Sequence, residues 1–135
     1  MAKESGLGWT TCSVDDSSGT LRALVNDVTG VSFAIPRAVQ DVTGLDKSAI
    51  ERLLLLADFS VTIDGVFNDA SNVSHDVFKT VASADVARTV TLVVSGQTLT
   101  NECLLTDYPL TRASTGEFTY SVPGVLQSGT DPTWS

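Results

Sequence analysis

Residues 57–64 have the sequence ADFSVTID, and this stretch decides the fold. Phe59, Val61 and Ile63 occupy every second position, and polar residues stand between them. Because successive side chains of a β-strand point to opposite faces, this alternation predicts a strand with one buried face and one polar face. The stretch therefore indicates a sheet that covers a core on one side.

The same period of two recurs along the chain on both sides of this strand. It is present in residues 21–25, 31–35, 89–95, 99–110 and 117–122. In the longest of these segments the alternation places on one side Leu104, Thr106, Tyr108 and Leu110. Clusters of Asp, Ser and Gly, which favour turns, separate the segments. Short alternating strands with turns between them predict a mainly β fold, either a β-sandwich or a barrel-like domain.

Two segments depart from this alternation and predict short helices. In residues 46–56, Ser48 stands three residues before Glu51, as in a capping box. Its helical stripe consists of Ala49, Ile50, Leu53, Leu54 and Ala57. In residues 74–83, Ser74 fits an N-cap and Asp76 suits the first helical turn. We therefore expect one or two short α-helices to flank the β-structure.

The charge of the chain limits its partners. Sixteen acidic and eight basic residues give a net charge of −8, and the basic residues are scattered. Proteins that hold nucleic acid tightly neutralise its phosphates with Lys and Arg, so tight or sequence-specific nucleic-acid binding is not expected. The low charged fraction, 18%, fits two readings equally: a threonine-rich β domain, or a subunit that buries its outer surface in an assembly.

Cysteine usage and hydropathy point to a soluble protein made in a reducing cytoplasm. Cys12 and Cys103 both lie in strand-like segments, which favours two buried free thiols over a disulfide. The longest apolar run, residues 53–57, is too short to span a bilayer, so no membrane partner is expected. No signal-peptide pattern follows the first residues.

Motifs that would carry catalysis or bind a metal are weak in this sequence. His75 is the only histidine, so a nucleophilic triad or a zinc set would have to be built on it, and no GxSxG motif is present. The segment DGVFND at residues 64–69 lacks the alternating oxygen ligands of a calcium loop. The sequence predicts no enzymatic activity, no cofactor and no catalytic, cofactor-binding or metal residues.

The two ends of the chain lack periodicity. We expect one domain, residues 1–135, with an extended N-terminal arm at about residues 1–8 and a C-terminal arm at about residues 125–135. Trp134 lies in the Pro- and Gly-rich tail, and aromatic residues are enriched at protein interfaces. The pattern leaves open whether Trp134, and likewise Trp9, docks on a neighbouring subunit or folds back onto its own core.

An ordered set of motifs in the middle of the chain resembles a known family. The set comprises NDVTGVSF at residues 26–33, DVTGLDKSA at 41–49, LLLLADFSVTIDGVFN at 53–68 and SHDVF at 74–78. This order is similar to that of the tail tube (major tail) proteins of siphophages, over roughly residues 9–124. No single motif is diagnostic, and the ordered combination carries the resemblance. An additional immunoglobulin-like domain, which some relatives append at the C-terminus, is not seen in this sequence.

The resemblance implies a structural role in a virion. Six β-sandwich protomers of such a family join their sheets into one inner β-barrel, and the rings stack into a tube. The implied partners are other copies of the chain, the tape measure protein and other tail proteins. DNA passes through the bore transiently during ejection without specific binding. The implied location is the virion tail, after assembly in the host cytoplasm.

The resemblance also suggests which residues carry this role. Acidic residues on polar strand faces are candidates for a bore wall that keeps DNA from adhering; they are Asp58, Asp64, Asp107 and Glu117. Candidates for contacts between subunits are Trp9, Arg37, Asp41, Lys47 and Trp134.

Three alternatives remain at the level of the sequence. Capsid decoration proteins and tail terminators also use small acidic β-domains, and a ring that stacks would distinguish the tube from them. A small ligand-binding β-barrel would need an apolar cavity with a few polar groups. An enzyme would lose its turnover on His75→Ala.

Overall fold

The structure is a computed structural model, and it describes residues 3 and 5–135. These residues contain ten strands, one α-helix and a short 3-10 helix at Gly6–Gly8. In chain order the elements are β1 (Trp9–Asp15), β2 (Leu21–Ala23), β3 (Val28–Ala34), β4 (Arg37–Asp41), β5 (Arg52–Ala57), β6 (Ser60–Val66), α1 (Ser74–Phe78), β7 (Arg88–Val94), β8 (Gln97–Leu105), β9 (Leu110–Arg112) and β10 (Phe118–Leu126). The N-terminal arm predicted for residues 1–8 falls partly outside the described residues.

Eight of the ten described strands form one antiparallel sheet in the order β2-β1-β7-β8-β10-β6-β3, with β9 beside β10. One edge of β10 pairs with β6, and its other edge pairs first with β9 and then with β8. The sheet folds over on itself, since Trp9 of β1 and Phe33 of β3 bring their ring centroids to 6.3 Å. The predicted mainly β, sandwich- or barrel-like fold is confirmed.

The core consists of the side chains that the alternation assigned to buried faces. Phe59, Val61 and Ile63 are all at most 2% exposed, as residues 57–64 predict. Neighbouring strands and the helix add further buried apolar side chains, including Val90, Leu92, Tyr120, Val122, Val77 and Phe78. The sheet therefore encloses a single hydrophobic core.

Helix α1 is attached to the sheet by a buried carboxylate. Asp27 accepts hydrogen bonds from the Ser74 hydroxyl at 2.8 Å and from Asn68 Nδ2 at 2.9 Å. Ser74 was predicted as the N-cap, but Val73 occupies that position and the Ser74 hydroxyl turns to Asp27 instead. The helix also ends at Phe78, earlier than the predicted residue 83. A hydrogen bond to a carboxylate is stronger than the one that an N-cap hydroxyl accepts from a backbone amide. The Ser74 hydroxyl therefore bonds to Asp27, and the helix begins at Ser74.

A second buried polar group, Arg88 of β7, joins the helix to β1. Its Nη1 donates to the carbonyl oxygens of Val77, at 2.7 Å, and Asp15, at 3.2 Å. Its Nη2 donates to Thr80 Oγ1 at 2.9 Å. Burial lowers the pKa of this guanidinium, and the hydrogen bonds offset part of the cost of desolvating its charge.

The helix predicted at residues 46–56 is wrong. Residues 52–57 form β5, which pairs with β4 as a separate two-stranded antiparallel sheet. Thr43 closes the hairpin at its loop end: Glu51 N donates to Thr43 Oγ1 at 2.8 Å, and that hydroxyl donates to Asp41. Leu53 and Leu54 continue the helical spacing of Ala49 and Ile50, but four consecutive leucines equally form a strand that is apolar on both faces. Local periodicity therefore did not distinguish a helix from a strand here.

The single alternating segment predicted at residues 99–110 is divided between β8 and β9 in the structure. β8 ends at Leu105, and it buries Leu99, Asn101 and Cys103, whereas Leu104 is exposed. The run Cys103-Leu104-Leu105 is apolar at both parities, so the alternation there did not fix the register.

Both cysteines are buried free thiols, as the sequence favoured. Desolvation raises the pKa of Cys12 to about 11 and the pKa of Cys103 to about 12. They lie on β1 and β8, which are separated by β7 in the sheet. Among the described residues, no helix is long and apolar enough to cross a membrane.

Candidate assembly interface

A hairpin formed by β4 and β5 extends from the folded-over sheet. It continues from β3 past Pro36 and returns to β6 past Asp58, and Asp58 N donates to the Pro36 carbonyl at 2.9 Å. Every residue from 37 to 56 is exposed. The hairpin thus extends the edge strand β3 and its neighbour β6 into solvent.

Large apolar side chains cover this hairpin and its tip. The exposed ones are Val39, Val42, Leu45, Ile50, Leu53, Leu54, Leu55 and Leu56. Leu56 is 89% exposed, and Leu45 at the tip is fully exposed. A concentration of exposed apolar side chains on one element of a small domain marks an interaction surface.

Both faces of the hairpin are apolar. Val39 stands opposite Leu54, so these two side chains share one face, and Leu53 points to the other. The pairing register shifts between Arg37 and Val39, which leaves Leu56 projecting at the irregularity. Strands that are buried on both sides have continuous apolar runs of this kind.

Three of the predicted interface residues, Arg37, Asp41 and Lys47, are brought together on this hairpin and its loop. Arg37 Nε donates to the Leu55 carbonyl at 2.8 Å. The Thr43 hydroxyl donates to the Asp41 carboxylate and lowers its pKa. Lys47 Nζ lies 4.0 Å from Asp46 and is half-exposed. Local bonds therefore hold Arg37 and Asp41, whereas the ammonium of Lys47 is available at the surface.

The other two candidates, Trp9 and Trp134, meet at Phe33. The rings of Trp9 and Trp134 lie 6.3 Å and 5.8 Å from the ring of Phe33. Trp9 is half-buried and donates its Nε1 to the Thr11 carbonyl, while Trp134 is 46% exposed. In this structure both tryptophans pack on their own chain, and Trp134 keeps nearly half of its surface open.

A polar face lies on the outside of strands β3, β6 and β10. Side chains of β6 that point away from the core are flanked by residues of β3 and β10 in register. The rows are Gly30–Asp64–Ser121, Ser32–Thr62–Pro123 and Ala34–Ser60–Val125. Asp64 is the one charged side chain in these rows. The rows therefore carry several hydroxyl groups, a single carboxylate and no basic side chain.

The remaining acidic candidates lie in connections between strands. Asp58 is at the base of the hairpin, where its carboxylate accepts the Phe59 amide at 2.7 Å. Asp107 is in the β8–β9 connection and accepts the Tyr108 amide at 2.8 Å. Glu117 precedes β10, and the hydrogen bond from the Thr115 hydroxyl lowers its pKa. The structure does not gather these three carboxylates around Asp64.

An apolar groove of about 390 Å³ opens at the seam between β1 and β3. Its lining includes Trp9, Cys12, Val28 and Val31, and Thr29 supplies the one side-chain hydroxyl. A ligand site needs several convergent polar groups to orient its ligand. The groove therefore gives only weak support to a ligand-binding barrel.

His75 packs among aromatic side chains at the start of α1. Its Nδ1 lies 3.2 Å from the Tyr108 hydroxyl, and its ring centroid is 4.8 Å from that of Phe67. These contacts give the histidine a packing role at one end of the sheet.

The sequence interpretation missed the main feature of this surface, the exposed leucines of β5. It assigned Leu53 and Leu54 to a short helix that flanks the β-structure. The uninterrupted run of leucines at residues 53–56 was a usable signal, because a one-sided helix or strand has polar residues at intervals.

Comparison with known proteins gives a fold relationship. No protein-family model and no curated protein sequence matches the chain. Solved structures do match it over nearly its whole length. A chain in the tail of an empty GTA particle with C6 symmetry superposes with a TM-score of 0.75 and 17% identity, covering 98% of both chains.

A second match has similar extent. A chain in the virion of the native gene transfer agent (GTA) particle superposes with a TM-score of 0.74 and 14% identity, covering 97% of this chain and 99% of the other. The chain therefore has the same fold as a protein of the C6-symmetric GTA tail.

Proposed function

We propose that the chain is a structural subunit of a phage-like tail tube, in which hexameric rings stack into a conduit for DNA. The observation that carries this proposal is the shared fold with a chain of a C6-symmetric tail over 98% of both chains. In this proposal the chain has no enzymatic role. It resides in the virion tail after assembly in the host cytoplasm.

The hairpin supports the proposal through its apolar surface. Eight large apolar side chains are exposed on it, and burying one such side chain contributes about 1.5–3 kcal/mol when the burial is complete. A second copy of the chain that covers the hairpin recovers this energy in every subunit of a ring. Arg37, Asp41 and Lys47 then lie at the contact between subunits.

The edges of the sheet support closure into a ring. β3 pairs only with β6 and β9 pairs only with β10 within the part of the chain that the structure describes. A free strand edge tends to pair with another strand. Pairing of β3 in one copy with β9 in the next removes these two free strand edges and joins the sheets into one barrel.

The hydroxyl-rich outer face of β3, β6 and β10 suits the wall of a channel for DNA. It carries hydroxyl groups and one carboxylate, Asp64, and each copy has a net charge of −8. A wall without basic side chains gives the DNA phosphates no counter-charge to bind. Asp58, Asp107 and Glu117 remain candidates for further acidic groups around the bore, and the tape measure protein is the proposed occupant before ejection.

Assembly is tested by size-exclusion chromatography with light scattering over a range of protein concentrations. We expect a mass that rises from the 14.2 kDa monomer to six-chain rings and their multiples as the concentration increases. Association should resist moderate salt, because the hairpin contact is mainly apolar. A monomer at every concentration would exclude the proposed role, and a stable trimer that never stacks would favour a capsid decoration protein.

A further inference from the structure

The C-terminal segment, residues 127–135, encloses a recess against the edge of β8. Gln127 N donates to the Glu102 carbonyl at 2.9 Å, and Thr98 exchanges two backbone hydrogen bonds with Ser135, at 2.8 and 2.9 Å. Between these contacts β8 advances four residues, from 102 to 98, while the segment advances eight, from 127 to 135. The segment therefore bows away from the strand, and the bow leaves a space of about 280 Å³ beside it.

All seven residues that line this recess carry an oxygen atom in their side chains. Glu102 and Asp131 contribute carboxylates, Asn101 contributes a carboxamide, and the others are threonine or serine. The lining that the structure describes contains no basic residue, histidine or cysteine. Carboxylate, amide and hydroxyl oxygens are the ligands that hard cations prefer, so the recess has the chemistry of a cation site.

Neither carboxylate of the recess is balanced by a basic side chain. In the part of the chain that the structure describes, the ion pairs join other acidic residues to lysine or arginine: Asp16, Asp46 and Asp76. Glu102 accepts a hydrogen bond from the Thr89 hydroxyl, which leaves its negative charge in place. The recess thus gathers two negative charges that the chain itself does not neutralise.

Asn101 provides an independent sign that the recess takes a ligand. The residue is 8% exposed, and its Nδ2 has no hydrogen-bond partner among residues 3 and 5–135. Buried polar side chains nearly always have a partner, and an exception calls for an explanation such as a bound ion or water. A half-turn of the carboxamide exchanges Nδ2 for Oδ1, and that oxygen is a ligand that Ca²⁺ commonly uses.

We propose that the recess binds Ca²⁺ between β8 and the C-terminal segment, with Glu102, Asp131 and Asn101 as ligands. Hydroxyl groups and water complete the roughly six to eight oxygens that Ca²⁺ takes. Mg²⁺ demands a nearly ideal octahedron and gives up water reluctantly, so an irregular set of ligands from a strand and a loop favours the larger ion. Zn²⁺ prefers nitrogen and sulfur ligands. The bound ion fastens the segment to the strand within one chain, so the inference does not depend on assembly.

Terbium luminescence of the full chain at low, monomeric concentration tests the site. Tb³⁺ occupies Ca²⁺ sites and emits when a neighbouring indole is excited, and Trp134 directly follows the lining residue Thr133. We expect saturable emission that CaCl₂ displaces, with a Kd for Ca²⁺ of about 0.1–1 mM, as in weak sites with few carboxylates. In about 10 mM CaCl₂ the Tm should rise by about 4–10 °C, because the ion binds only the folded chain.

Asp131→Asn removes one charged ligand from an exposed position, and the Kd for Ca²⁺ should rise at least about tenfold. Asp107→Asn is the matched control, because Asp107 lies in the β8–β9 connection and not in the recess; its Kd should equal that of the unmodified protein. Three results would overturn the site: no displacement by CaCl₂, an equal rise in Tm with MgCl₂ at the same ionic strength, or an unchanged Kd in the chain with both Asp131→Asn and Glu102→Gln. None of these results bears on whether the chain forms a tube.

Discussion

Replacing Leu54 and Leu56 together with aspartate is expected to abolish assembly while the chain remains folded. Both side chains are exposed on the hairpin, so their replacement removes no core contact. In the proposed interface each substitution removes about 1.5–3 kcal/mol of favourable burial free energy and places a charge against an apolar surface. Since about 1.4 kcal/mol corresponds to a tenfold change, the concentration needed for association should rise at least about 100-fold. Light scattering measures the association, and circular dichroism measures the fold.

A matched control uses two leucines outside the hairpin. Leu21→Asp with Leu104→Asp introduces the same charge at positions that are 48% and 42% exposed. This control protein should still associate within about tenfold of the unmodified protein's concentration. If the hairpin variant assembles as well as the control, the hairpin is not the interface. If the hairpin variant unfolds, the truncating pair Leu54→Ala and Leu56→Ala gives the same comparison without added charge.

Gly65→Ala is expected to destabilise the fold strongly. A Cβ at this position of β6 would lie 2.4 Å from the Tyr120 hydroxyl oxygen and 2.8 Å from the carbonyl oxygen of Asp27. Overpacking of a core usually lowers the free energy of unfolding by about 1–3 kcal/mol. Because the Asp27 carbonyl is part of the backbone and cannot rotate away as a side chain can, we expect Gly65→Ala to lower it by about 2–4 kcal/mol. Thermal unfolding should show a fall in Tm of roughly 8–15 °C.

Gly6→Ala is the matched control for this change. No atom lies within 4 Å of the position that its Cβ would occupy, so Tm should change by no more than about 2 °C. An unchanged Tm for Gly65→Ala would mean that Tyr120 does not pack against β6 as described, which would remove the close contact between β6 and β10.

The strands that have one buried face and one solvent-exposed face were predictable from the sequence. Phe59, Val61 and Ile63 alternate with polar residues because one face meets the core and the other meets water. The same logic failed at residues 46–56, because the four leucines at 53–56 are apolar on whichever face their side chains lie. The strand that forms there instead pairs with β4 in a hairpin outside the main sheet, and local periodicity contains no information about that pairing.

The candidate residues divide in the same way. Arg37, Asp41 and Lys47 fall close together because they belong to one hairpin, so sequence proximity sufficed. The meeting of Trp9 and Trp134 at Phe33 depends on how the sheet folds over, which no local pattern encodes. The buried roles of Arg88 and Asp27 were also not predicted, because they depend on partners far along the chain: the Asp15 carbonyl for Arg88, and the Asn68 amide and Ser74 hydroxyl for Asp27.

The central claim is that copies of this chain form a six-fold tube, and electron microscopy of the concentrated protein tests it most directly. We predict stacked rings with a central channel, with six chains in each cross-section. In a reconstruction, β3 of one copy should lie beside β9 of the next, and the β4–β5 hairpin should be covered by a neighbouring chain. Discrete monomers at every concentration and salt condition, or rings of another order that do not stack, would contradict the account.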